Sequence, residues 1–254
     1  MAQLTVTSDE IDLARQAAER VTEMIERAVA THGRALVSLT GGSTPRRLYA
    51  NLADGHQPWR NRIPWSDVHL FWGDERHVPP DHPDSNYGMA RAALLDHIPI
   101  PADHVHRIRG EMPAADAAAD YERVLDTAVS GFRRTSDGAS SRTFLFDIML
   151  LGVGEDAHVA SIFPGSELLE LPVTGRRVAA VWAAHLNAWR ITLTPEAILD
   201  SQSIVVLASG ARKAAAVRAA IAPPLDVKTY PGQLLRAAGD RTLWLLDRNA
   251  ATLL

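Results

Sequence analysis

The chain of 254 residues contains no cysteine. That excludes disulfides, cysteine nucleophiles and thiolate metal sites, and it fits a cytoplasmic protein. Basic charge is not in excess: the formal net charge is −4, so the footprint of a nucleic-acid binder is missing. No apolar run approaches the roughly 20 residues that span a bilayer, and no membrane partner is expected. Met1–Val6 lacks a basic start and an apolar core, so it does not read as a signal peptide. The Gly-x-Ser-x-Gly elbow of α/β-hydrolases is also absent. So are the lysine-bearing loop of P-loop NTPases and the three-glycine dinucleotide fingerprint. What remains is an ordinary soluble composition, 46% hydrophobic and 22% charged.

Apolar periodicity alternates between helical and extended along the chain. A helical stripe runs from Ile11 to Val29, with Thr7 and Glu10 placed as a capping box before it. Ala35–Leu39 and Val68–Trp72 read as short strands. Pro45–Leu52 reads as a helix with proline at its first position. Asn86–Leu95, Ala114–Val129 and Ala211–Ile221 read as helices, and the alanine-rich second one is expected on the surface. Arg133–Arg142 reads as a loop. Further strands are expected at Phe144–Leu151, Val178–Trp182, Arg190–Leu193, Ile204–Ala208 and Thr242–Leu246. Apolar strands separated by helices need crossover connections. The expectation is therefore an α/β fold: a doubly wound, mostly parallel sheet with helices on both faces. Arg190–Leu193 fits an antiparallel edge or a small lobe. Neither a linker nor an internal repeat divides the chain, so residues 1–254 are read as one domain.

Four strand ends carry chemistry. Gly152–Pro164 follows the Phe144–Leu151 strand and presents Glu155, Asp156 and His158 within a few residues. In open α/β sheets ligands sit just beyond the carboxyl ends of strands. There, His158 suits a general base and Asp156 a carboxylate that orients it; an Asp-x-His is equally a plain helix cap. Gly41, Gly42, Ser43 and Thr44 join a strand to a helix and form an anion cradle of free N–H groups and hydroxyls, or simply a capped helix start. Lys213, after Ser209-Gly210, falls in the first turn of the next helix. The helix dipole disfavours a cation there unless an anion compensates it. Asp74, Glu75 and Arg76 pair among themselves, or Arg76 faces an oxyanion or phosphate. Arg190 opens a short strand with a guanidinium suited to bidentate phosphate contact. His77, Asp81, His82 and Asp84 are close in sequence. Three nearby prolines deny them regular ligand spacing, so no metal is assigned.

In this order, these segments resemble the 6-phosphogluconolactonase family. The carriers are Gly41–Pro45, Asp74–Arg76 with Val78-Pro79 and Ser85-Asn86, Gly152–Pro164, Arg190–Thr194, Ser209-Gly210 with Lys213, and Thr242–Asp247. The resemblance spans nearly the whole chain. It implies hydrolysis of 6-phospho-D-glucono-1,5-lactone in the oxidative pentose phosphate pathway, without metal or organic cofactor. On that reading Gly41, Gly42, Ser43, Thr44, Arg190 and Lys213 hold the phosphate. His158 is the base, Asp156 orients it, Arg76 meets the developing oxyanion and Asp74 organises the site from behind.

The family is similar in fold to glucosamine-6-phosphate deaminases, which carry a glutamate five residues after the histidine and a tyrosine after the Asp-Glu pair. Those positions hold Phe163 and Arg76 here, which favours the lactonase. A module that binds a sugar phosphate without turnover is the third reading. Against the common lactonase pattern, Ala157 replaces a glycine, Val159 a threonine, and Ala188-Trp189 a pair of prolines. If position 157 needs a positive φ, alanine costs about 1 kcal/mol there.

Overall fold

The structure, a computed structural model, describes residues 2–133, 144–170, 175–222 and 224–254. Its strands are β1 (Gln3–Thr7), β2 (Ala35–Leu39), β3 (Val68–Trp72), β4 (Asp74–Arg76), β5 (Phe146–Gly152), β6 (Val178–Ala183), β7 (Ala188–Leu193), β8 (Ser201–Ala208) and β9 (Thr242–Asp247). The α-helices are α1 (Glu10–His32), α2 (Ser43–Ala53), α3 (Trp59–Arg62), α4 (Asn86–Ala93), α5 (Ala114–Arg133), α6 (Pro195–Leu199) and α7 (Ala214–Ile221). Six strands form one parallel sheet in the order β1-β9-β8-β5-β2-β3. A second, antiparallel sheet has the order β4-β7-β6. This is the expected doubly wound architecture, and Arg190–Leu193 lies in the small antiparallel lobe.

Each central strand is an apolar run because both its faces are covered. All five residues of β2 are buried, as are all six of β9. From β2 the chain steps outward to β3 on one side and, after α5, to β5 on the other. Right-handed crossovers then send the connections to opposite faces. α1 and α2 pack together, while α7 packs on the helical segment Pro231–Arg241. The strand order therefore reverses between β2 and β5, which opens a crevice at their carboxyl ends.

Several local expectations are corrected. The capping box does not form: Asp9 caps α1, accepting from the amides of Ile11 and Asp12. Thr7 ends β1 instead, and its hydroxyl is directed at the carbonyls of Asp9 and Leu246. α2 begins at Ser43, two residues before Pro45. α5 is not a surface helix throughout, since Ala117, Tyr121 and Leu125 are buried. The helix read at Ala211–Ile221 opens with a 3-10 turn over Ala211–Lys213, so Lys213 sits just ahead of α7. The polar stretch from 134 to 142 lies outside the described residues. β1 and β4 had no counterpart in the sequence reading. β1 is an edge strand whose Leu4 and Val6 are exposed; β4 has only three residues.

Two buried tyrosines finish the crevice floor. Tyr49 of α2 accepts from the Thr40 amide and donates to the Thr40 carbonyl, both at 2.9 Å. Tyr121 of α5 does the same for Trp72, at 2.8 and 3.0 Å. Each hydroxyl thus satisfies both backbone groups at a strand end, where a buried unpaired amide or carbonyl would be costly. Burial pushes both phenols above their ordinary range, so they stay protonated donors. Tyr49→Phe is expected to lower the unfolding free energy by about 1–3 kcal/mol, measured by urea denaturation. A loss below about 0.5 kcal/mol would show that these two bonds add nothing.

Candidate active site

The carboxyl ends of β2, β5 and β8 are adjacent in the sheet, and each is followed by one of the motif loops. Together with β4 and β7 they enclose a cleft of about 370 Å³, in the range of small-ligand sites. Its wall includes Gly41, Gly42, Ser43, Thr44, Asp74, Arg76, His158, Arg190 and Lys213. Of the ten site residues expected from sequence, only Asp156 is not on the wall; it meets the cleft through His158. A larger groove of about 1100 Å³ lies along α2 and α4. Two of its arginines are already paired, Arg47 with Glu10 at 2.7 Å and Arg91 with Asp96 at 3.2 Å. The smaller cleft is where the unpaired chemistry lies.

The anion cradle is built from glycine geometry. Gly42 has φ 112° and precedes α2, whose first turn no side chain caps. The Ser43 and Thr44 amides at that end therefore point free donors and a positive dipole end into the cleft. Gly41 serves another purpose: a Cβ there would stand 1.8 Å from Asn86 Oδ1. The Thr44 hydroxyl is not free either, since it pairs with Ser209 Oγ at 2.8 Å and ties the β2 and β8 loops together.

The cations are poorly compensated. Arg76 and Arg190 are directly opposed across the antiparallel β4–β7 pair. Their side chains share one face, an arrangement that is unfavourable for like charges. Among the described residues neither forms an ion pair; each donates to a carbonyl, Arg76 to Asp84 at 2.6 Å and Arg190 to Trp189 at 3.0 Å. Burial first, and then the charge of Arg76, hold the Arg190 guanidinium below its ordinary range. Burial likewise lowers the Lys213 ammonium, with Glu155 opposing the shift and Arg212 adding to it. Two cations that their surroundings disfavour, Arg190 and Lys213, together with Arg76 opposite Arg190 and an uncapped helix start, make a site that a bound anion would stabilise.

The two acids beside Arg76 have different places. Glu75 is buried and accepts from the amides of Arg76, Asn86 and Tyr87 and from Ser85 Oγ. It closes the start of α4, and burial raises its carboxyl above the usual range. Asp74 lies in the wall but is saturated, accepting from Ser161 Oγ at 2.6 Å and Asn86 Nδ2 at 3.2 Å. It binds β4 to α4 and to the loop after His158. His77 and His82 turn to backbone groups, the Met112 carbonyl and the Asp84 amide. Among the described residues no group of three or more His, Asp or Glu is placed to hold a metal ion.

His158 Nδ1 is 2.5 Å from Asp156 Oδ1, and the same oxygen accepts from the His158 amide at 3.2 Å. Burial works to raise the Asp156 carboxyl, but the hydrogen bond and charge of His158 outweigh it and hold the group down at about 2. Asp156 is thus ionised through the neutral range and fixes the imidazole with Nε2 turned outward. The small stability it adds at this half-exposed site is present above its ordinary value of 3.8. That contribution is lost as pH falls through about 2, by linkage.

Phe163 sits 4.7 Å from His158 and 4.7 Å from His185, ring centre to ring centre. His185 and Leu186 come from the β6–β7 turn and form one rim of the cleft. Sequence reasoning missed both, because the β6–β7 turn carries no strand-end motif; Ser161 and Arg212 lie within the Gly152–Pro164 and Ser209–Lys213 segments but were given no role there. Asn86 carried a signal in the Ser85-Asn86 pair. Gly154 carried one in the glycine pair after β5: a Cβ there would fall 2.1 Å from His158 Nδ1 and 2.6 Å from Asp156 Oδ1.

A family model described as glucosamine-6-phosphate isomerases/6-phosphogluconolactonase matches residues 8–244. A 6-phosphogluconolactonase of Nostoc sp. is 37% identical over 246 residues, 96% of this chain and 95% of its own. The solved 6-phosphogluconolactonase of Trypanosoma brucei superposes with a TM-score of 0.80 at 29% identity, over 100% of this chain and 99% of that one. A solved monomeric glucosamine-6-phosphate deaminase gives 0.80 at 22% identity, over 99% and 100%, which is a likeness of fold.

The φ of Gly154 is not positive, so alanine there brings no left-handed strain and acts through its collision with the His158–Asp156 pair. Gly154→Ala is expected to displace the ring from Asp156 and reduce kcat at least about tenfold, since small misplacements cost at least that. The circular dichroism spectrum should be unchanged. A folded variant with normal kcat would show that the His158–Asp156 geometry is not used.

Proposed function

The chain belongs to the glucosamine-6-phosphate isomerase/6-phosphogluconolactonase family, and we propose that it is a cytoplasmic enzyme hydrolysing 6-phospho-D-glucono-1,5-lactone to 6-phosphogluconate with His158 as general base. The observation that carries this reading is the His158–Asp156 pair at 2.5 Å, set in one wall of a cleft that also holds Arg190, Lys213 and the open start of α2. The same reading takes residues 1–254 as one lactonase domain; among the described residues, a contiguous apolar core reaching from Leu13 to Ala250 supports it.

In the mechanism the neutral imidazole removes a proton from water as its oxygen attacks C1. The carbonyl electrons move onto oxygen, where Arg76 offers a positive charge to the developing oxyanion. Collapse of that intermediate breaks the bond from C1 to the ring oxygen. The imidazolium then returns its proton to the leaving oxygen, giving the hydroxyl on C5 and the free acid. Asp156 stabilises the imidazolium in between. The phosphate lies against the Ser43 and Thr44 amides, Arg190 and Lys213. In the lactone, C1 and the phosphate are only a few bonds apart through the ring oxygen. The opposition of Arg76 and Arg190 on neighbouring strands suits two subsites that touch.

The deaminase reading is supported by fold but not by Phe163. That residue packs against His158 where the deaminases carry a glutamate, and a phenyl ring cannot transfer a proton. A coupled assay distinguishes lactone hydrolysis from ammonia release and from binding without turnover. His158→Ala is expected to lower kcat by about 10²–10⁴-fold while the substrate still binds. Lys213→Ala should chiefly raise KM, because phosphate contacts hold ground state and transition state alike. Normal turnover by His158→Ala, or an unchanged KM in Lys213→Ala, would contradict these roles.

A further inference from the structure

The geometry points to Gly232 as a positioning residue for His158, an inference that rests on His158 being the base. Gly232 is 74 residues from His158 in sequence and opens the helical segment Pro231–Arg241. Its amide donates to the Ala157 carbonyl at 2.7 Å. The Ala157 amide in turn donates to the Gly154 carbonyl at 3.1 Å, and the Gly154 amide to the His158 carbonyl at 2.8 Å. The turn from 154 to 158 is therefore closed on itself, and outside it the Ala157 carbonyl is held by Gly232.

That anchor matters because the turn is not at rest. Ala157 has φ 65° and Ala160 φ 49°, so left-handed alanines stand on either side of His158. Left-handed backbone is unfavourable for alanine and persists only where the surroundings over-determine it. A buried hydrogen bond to the Ala157 carbonyl is such a determinant.

Glycine at 232 is required by proximity and not by conformation. Its φ is not positive. A Cβ there would lie 3.0 Å from the Ala157 oxygen and 3.1 Å from Ala220 Cβ, so even a methyl would push the two segments apart by a few tenths of an ångström. The next residue, Gln233, is buried and holds the neighbouring backbone. It donates to the carbonyls of Ala219 and Pro224 at 2.7 and 3.0 Å and accepts from the Asp226 amide at 2.5 Å. Ala219 belongs to α7, the helix that Lys213 precedes. One short segment thus braces the turn of the base and the helix beside the phosphate cation.

The test is steady-state kinetics of Gly232→Ala beside the parent enzyme and His158→Ala. Gly232→Ala is expected to lower kcat about tenfold or more with KM within about twofold. A general loosening of the cleft would instead raise KM in step with the fall in kcat. If the single variant does not fold, Gly232→Ala combined with Ala220→Gly removes one clash, keeps the clash with Ala157, and is read by the same criteria. Parent-like kcat in a folded variant, or a KM that rises in step with the loss of kcat, would overturn the role of Gly232. Normal turnover in His158→Ala would overturn the base reading itself.

Discussion

Between β2 and β5 the connections of the parallel sheet leave in opposite directions, so no chain segment crosses the carboxyl ends of those two strands. Everything functional in this protein follows from that gap. It leaves the uncapped start of α2 open, lets the loop after β5 fold its histidine toward it, and brings the loop after β8 alongside. The Tyr49 and Tyr121 hydroxyls make the gap tolerable by satisfying the backbone at Thr40 and Trp72. The antiparallel lobe then supplies a wall of different chemistry. Its β4–β7 pair sets Arg76 opposite Arg190, so the charge of the site is a consequence of strand register.

Two features of the cleft work against stability, and both make sense as preparation for a ligand. The opposed arginines and half-buried Lys213 are cations without carboxylate partners among the described residues, and a phosphate would reverse that cost. The left-handed Ala157 stores backbone strain beside His158, and contacts from elsewhere in the chain hold it in place. Local rules broken at one place and obeyed around it are characteristic of functional sites. Asp74 and Glu75 show the contrast. They are adjacent acids in the same short strand, yet both are saturated with hydrogen bonds, and their work is to hold loops in register.

Much of this was legible in the sequence. β2 and β3 appear with the bounds their apolar runs suggested, because strands buried on both faces leave no ambiguity of period. The expected sites at His158 and Lys213 meet in one cleft because both follow strand ends where glycine marks the turn, while Arg190 lies inside β7 and reaches the same cleft through its register with Arg76. β1 escaped because an edge strand with exposed Leu4 and Val6 lacks a burial pattern. β4 escaped because three charged residues carry no periodicity, and its pairing depends on β7, more than a hundred residues later. His185 and Gly232 reach the site only through tertiary contacts, and nothing near them in sequence announces it. The positive φ at Ala157 was foreseeable only by comparison with the glycine that the family pattern places there.

The central claim is that one end of the cleft holds a phosphate and the other a carbonyl carbon undergoing attack. A structure of the protein with 6-phosphogluconate bound tests it most directly. The account predicts the phosphate within hydrogen-bonding distance of the Ser43 and Thr44 amides, Arg190 and Lys213, and the C1 carboxylate beside His158 and Arg76. A phosphate bound at Arg76, with the carboxylate directed toward Lys213, would contradict it.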